Sequence, residues 1–178
     1  VLDARLALAR DPAVTAEILA AKADVLENDK SELGEALELR LRAVSLDPGS
    51  AVLHEPTRAL AVRTKELPRY MDVLSAQADE AQRARTPEGA RLASELTLRL
   101  ARVIEEELRD LDRAAGLYAK VEAAGEHVVE AWLSMARVAG ARGEIAEQRR
   151  VLERIAESQD ERASKSARDE ARFLFAEL

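Results

Sequence analysis

Side chains able to do acid, base or metal chemistry are few and scattered. His54 and His127 are the only histidines and cysteine is absent, which excludes disulfides, thiolate metal sites and a cysteine nucleophile. His127 and Glu130 have a spacing used by metal ligands, but a second such pair is missing and no HExxH occurs. His127 is therefore expected in a solvated loop. Glu105, Glu106 and Glu107 are consecutive, so on a helix they fan outward and cannot converge on one point. A charged face beside Arg102 and Arg109 is the expected outcome. GxSxG, GxGxxG and P-loop patterns are absent as well. No catalytic residue, cofactor site or metal site is assigned, and the chain is expected not to be an enzyme.

The elements that would carry these residues are helical. Apolar residues make up 47% of the 178 and aromatic residues only 3%, so packing must rest on Ala, Leu and Val. With 34% charged residues, this suits helices in close contact with a solvated outer face. The formal net charge of -7 argues against a phosphate-binding surface, and nucleic acid is not an expected partner. No apolar run approaches the roughly 20 residues that span a bilayer, and the amino end lacks the regions of a signal peptide. Membrane insertion is not expected, and the cytoplasm is favoured over export.

Residues 96–121 are the organising stretch. Leu96, Leu100, Val103, Ile104 and Leu108 form one amphipathic stripe, and Leu111, Ala114, Ala115, Leu117, Tyr118 and Val121 a second. Only Arg109 and Asp110 separate them, so the two helices must fold back as an antiparallel hairpin. Helices are expected over residues 1–10, 13–27, 32–46, 52–64, 67–84, 88–108, 111–124 and 128–142, followed by further helices carrying Ile145 to Ile155 and Ala163 to Leu178. Asp11-Pro12 and Thr86-Pro87 read as caps and restarts, and Gly143 as a stop. Pro56 should mark a helix start or a kink near it.

Aligning the second helices puts Ala36, Tyr70, Ala114 and Gln148 in register, at intervals of 34, 44 and 34 residues. In the fourth unit Trp132, Met135, Ala136 and Ala139 supply the large, large, small and large positions of a first helix, with Gly143 at the turn and Leu152 and Ile155 on the second helix. Leu100, Ala101, Ile104 and Ala114 match in the third unit, and Ala23, Leu26, Ala36, Ala43 and Pro48 in the first. The chain thus resembles the tetratricopeptide repeat family. His54, Thr57 and Arg58 depart from that pattern in the second unit, as does Gln148 in the fourth. The wide interval adds ten residues, about 15 Å of helix, expected in longer helices on either side of Thr86-Pro87.

The resemblance implies an all-α fold, a right-handed α-solenoid of antiparallel helix hairpins stabilised by neighbour contacts, with Trp132 as a spacer between them. Repeats are expected over residues 13–48, 51–84, 87–124 and 128–158, flanked by half repeats at 1–10 and 161–178. The chain accordingly reads as a piece of a longer array. The resemblance further implies a non-enzymatic scaffold whose first helices line a concave groove for a peptide or partner helix. Residue by residue, that groove would comprise Asp24, Glu27, Arg63, Leu98, Arg102, Glu105, Leu133 and Arg137. If Arg102 and Arg137 both faced inward, two guanidinium forks one repeat apart could grip acidic groups of a protein or peptide; ordinary solvated arginines are the plainer alternative. A structural spacer or self-association segment is the second functional expectation, and a helical-array enzyme module the third.

Overall fold

The computed structural model describes residues 2–157, 169 and 171–174. Among them the secondary structure is helical, and neighbouring helices pack in pairs. The chain divides into two compact units, Val1–Asp79 and Glu80–Leu178.

In the first unit, α1 (Leu2–Leu8) leads to α2 (Pro12–Leu26). Asp11 caps α2 as its residue type predicts, its carboxylate accepting from the Ala13 N–H at 2.8 Å, and Pro12 occupies the first turn. A single 3-10 turn, Lys30–Glu32, connects to α3 (Leu33–Leu46). The α2 and α3 stripes close on each other through Ile18, Leu19, Ala23, Ala36, Leu37 and Val44, all buried.

Next, α4 runs over Ala51–Arg63 and therefore starts five residues ahead of Pro56, which lies inside it. Proline removes one intrahelical hydrogen bond. It is tolerated because Pro56 is exposed, so the freed carbonyl on that side meets water. The sequence pattern is weakest here, where polar residues occupy core positions. His54 is 3% and Thr57 1% exposed, and each is satisfied internally. His54 Nδ1 lies 2.9 Å from the Tyr70 hydroxyl and Nε2 lies 2.9 Å from the Pro48 carbonyl. Thr57 Oγ1 donates to the Leu53 carbonyl at 2.6 Å. A buried polar group costs little once its hydrogen bonds are made, so His54 and Thr57 can share the buried face of α4 with Leu53, Leu60 and Ala61. Tyr70 belongs to α5 (Leu67–Arg83).

The second unit is built on α6 (Pro87–Val103), α7 (Leu111–Ala124), α8 (Val128–Arg142) and α9 (Ile145–Glu157). Thr86 caps α6, its hydroxyl accepting from the Gly89 N–H. A side chain at Gly89 would sit 2.5 Å from the Ala81 carbonyl oxygen, so glycine sets how closely the end of α5 and the start of α6 approach. At 17 residues each, α5 and α6 are the longest of the described helices, and they lie on either side of Thr86-Pro87. The chain then departs from the expected uninterrupted helix. Ile104–Leu108 forms one π-helical turn, and Arg109 closes it in the left-handed region at φ 55°.

Between α8 and α9, Val129, Trp132, Ala136, Val151, Leu152 and Ile155 form a buried cluster that also takes in Ala171, with Leu133 and Leu174 packed against it. Most of the expected stripe from Ala163 to Leu178 lies outside the described residues. Gly140 answers the unusual Gln148: a side chain at Gly140 would meet the Gln148 amide at 2.7–3.0 Å. A large residue on α9 is matched by the smallest on α8.

Trp132 is 9% exposed. Its indole N–H donates to Glu122 at 2.8 Å, and the Arg154 guanidinium sits 4.2 Å above its ring. Trp132→Ala is expected to lower stability by roughly 3–5 kcal/mol, read as the urea midpoint by circular dichroism. An unchanged midpoint would remove Trp132 from the packing.

Candidate functional site

Two charge clusters, one in each unit, gather most of the residues assigned from sequence. In the first unit the last turn of α2 presents Asp24 and Glu27 to Arg40 on α3. Arg40 is 6% exposed, and a guanidinium so placed must be paired. Its Nε donates to one oxygen of Glu27 and its Nη2 to Asp24. The other Glu27 oxygen accepts from Arg63 of α4 at 3.2 Å. One carboxylate thus joins three helices, while Asp24 and Arg63 extend the cluster to solvent. Arg40 was not singled out from sequence, although a signal existed. It stands four residues after Ala36 and four before Val44, on a stripe where a solvated arginine has no place.

The second cluster centres on Glu105, in the π-helical turn and 6% exposed. Arg137 of α8 grips it with both prongs, Nε to Oε1 at 2.6 Å and Nη2 to Oε2 at 2.8 Å. Tyr118 of α7 donates its hydroxyl to Oε2 at 2.6 Å and is itself fully buried. This trio corrects the expectation for the acidic run. Only Glu105 turns inward, while Glu106 and Glu107 stay exposed. Burial alone would raise the Glu105 pKa, but the hydrogen bonds from Arg137 and Tyr118 and the positive charges of Arg137 and Arg102 outweigh it and hold the carboxyl below its ordinary value. Burial, reinforced by Glu105, pushes the Tyr118 hydroxyl well up, and the Glu105 hydrogen bonds raise Arg137. All three move away from neutrality. The trio is a fixed charge arrangement and not an acid–base pair.

The structure thus brings Asp24, Glu27 and Arg63 together, and separately Glu105 and Arg137. Leu98 is 5% exposed and offers no surface to a ligand. Arg102 is half-buried within the field of Glu105 and forms no ion pair among the described residues. Leu133 is half-buried against the Trp132 cluster. The expected pair of free guanidinium forks is therefore corrected, because the Arg137 fork is closed on Glu105. His127 is corrected too. It is half-buried, precedes α8 at φ 53°, and its Nε2 is buried without a partner. Among the described residues, no group of three or more metal-ligating side chains is placed to hold a metal ion, and no helix is long and apolar enough to cross a membrane.

No family model, curated protein or solved structure matches this chain.

Two outcomes test the Glu105 trio. Arg137→Met should cost about 2–4 kcal/mol, somewhat below the range for a fully buried pair because Arg137 is half exposed. Combined with Glu105→Gln it should cost less than the two single changes together. Additive urea midpoints would show that the pair is uncoupled. The second outcome is a pH dependence. Because the folded-state pKa of Glu105 is depressed, its stabilisation is complete above the unfolded value of about 4.3 and drains away as pH falls through the folded value. The stability advantage of the wild type over Glu105→Gln should hold from neutral pH down to about 5 and shrink below about 4. An advantage that persists in acid would reverse the assigned direction.

Proposed function

We propose that the chain is a tetratricopeptide-like α-solenoid serving as a non-enzymatic scaffold, which receives a peptide or partner helix on the face built from the first helices of its hairpins. The observation that carries this reading is the recurrence of ion pairs about one hairpin apart. Glu27 meets Arg63 across 36 residues, Glu105 meets Arg137 across 32, Glu122 meets Arg154 across 32, and Asp112 meets Arg142 across 30. The first pair joins the end of α2 to α4, and the other three join the stretch from α6 to α7 to the α8–α9 hairpin, the kind of neighbour contact on which a stack of hairpins relies. On the proposed face, Arg102 adds a cation without an ion pair among the described residues, and Leu133 of the following hairpin is half-buried against the Trp132 cluster.

A second reading draws on the same clusters. Asp24, Glu27 and Arg63 spend their charge on Arg40 and on one another, and Arg137 spends its charge on Glu105. Such self-pairing suits a spacer or self-association segment, whose surface need only hold its form.

Hydrogen–deuterium exchange on the chain, alone and with a partner captured from the source lysate, separates the two. The scaffold reading expects new protection on α2, α4, α6 and α8, and loss of capture in Arg102→Glu. Protection confined to α3, α5, α7 and α9, or capture indifferent to Arg102→Glu, would overturn the groove. Concentration-dependent self-association in the absence of any partner would select the spacer.

A further inference from the structure

A small recess in the second unit has one cation and no carboxylate in its lining. It lies where α6 and α7 face the last turns of α5, has a volume of about 230 Å³, and is lined by Gln82, Ala93, Ser94, Thr97, Lys120 and Val121, with Ala124 at its edge. It opens on a different side of α6 from Arg102, since Ala93 and Thr97 lie well round the helix from position 102. Its volume falls below the roughly 300–1,000 Å³ of sites that enclose whole small molecules, so it suits a single side chain.

The chemistry of the lining is one-sided. Ala93 and Val121 are buried and apolar, and they can receive a short aliphatic stem. Ser94 is 4% exposed and lines the recess. A hydroxyl that lines a recess can donate to an acceptor that enters it. Thr97 spends its proton on the Ala93 carbonyl at 2.7 Å, which leaves Ser94, the Gln82 amide and Lys120 as donors. Lys120 is exposed, forms no ion pair among the described residues, and is the only charged side chain in the lining. No carboxylate competes for it there. In a chain of net charge -7, a recess with one cation and no acid selects a negatively charged occupant by local complementarity.

We propose that this recess is an anchor pocket for a glutamate-type side chain of an acidic partner segment, its methylenes on Ala93 and Val121 and its carboxylate between Lys120 and Ser94. The proposal rests on the scaffold reading for its source of ligand, and it places a contact on a surface separate from the face carrying Arg102.

The test uses the whole chain, uniformly 15N-labelled, titrated at constant ionic strength with N-acetyl-glutamate N-methylamide, its glutamine counterpart, and glutarate. The blocked glutamate should give saturable shifts confined to residues 93–97 and 120–124, and the glutamine analogue should bind roughly tenfold or more weakly, as loss of a charge-assisted contact requires. Lys120→Met, at an exposed position and with the rest of the spectrum unchanged, should cause a similar loss. Ser94→Ala should weaken the glutamate analogue without affecting the glutamine one. Equal binding of the two analogues, scattered or unsaturable shifts, or indifference to Lys120→Met would overturn the pocket. Glutarate binding well above the blocked glutamate would overturn the side-chain source in favour of a free dicarboxylate. Failure here leaves the exchange footprint on α2, α4, α6 and α8 untouched, whereas failure of that footprint alongside saturable glutamate binding would sink the scaffold and keep the pocket chemistry.

Discussion

A charge withdrawn from water must meet its opposite, and in this protein that requirement falls between helices. Arg40 and Glu105 are the two most telling cases, each about 6% exposed, and each is answered by residues of other helices. An isolated buried ion is so costly that the alternatives to these contacts are strongly disfavoured. Apolar stripes of Ala, Leu and Val supply most of the burial, but such stripes can slide by a helical turn at modest cost. A bidentate fork cannot. The charged contacts therefore fix the registers that the small apolar side chains leave loose.

Much of the helical framework was legible because the relevant forces are local. Asp11 before Pro12, Thr86 before Pro87, and Gly143 at φ 75° are caps and stops dictated by orphaned backbone groups and by left-handed geometry. The hairpin around Arg109 and Asp110 is dictated by two stripes too close to be joined any other way. The features that could not be read depend on partners distant in sequence. Nothing near His54 announces that Tyr70 and the Pro48 carbonyl will satisfy its ring, and so its polarity looked like a fault in the pattern. The position of Pro56 inside α4 is permitted by the solvent beside it, which the one-dimensional sequence does not display.

The candidate site was legible as a set of positions and not as a set of pairings. Asp24, Glu27, Arg63, Glu105 and Arg137 do lie in charged clusters, but the helix pattern cannot say which of these charges are answered from within. The π-helical turn at Ile104–Leu108 is the clearest reason. Three consecutive residues fan around any helix, but the π turn changes the angular step between them, so an ideal helix drawn through the sequence does not say which of the three meets Arg137 and Tyr118. Arg40 was hidden for the opposite reason. Its type suggests the surface, whereas its place between Ala36 and Val44 belongs to the interior.

The match of Gln148 to Gly140 has a consequence for how this chain could change over generations. Here the α8–α9 hairpin carries its own key and lock. A side chain added at position 140 would meet the far end of Gln148, and that flexible amide would have to swing aside to admit it. A change at either position is therefore felt at the other, as a displaced Gln148 amide or as space left beside Gly140.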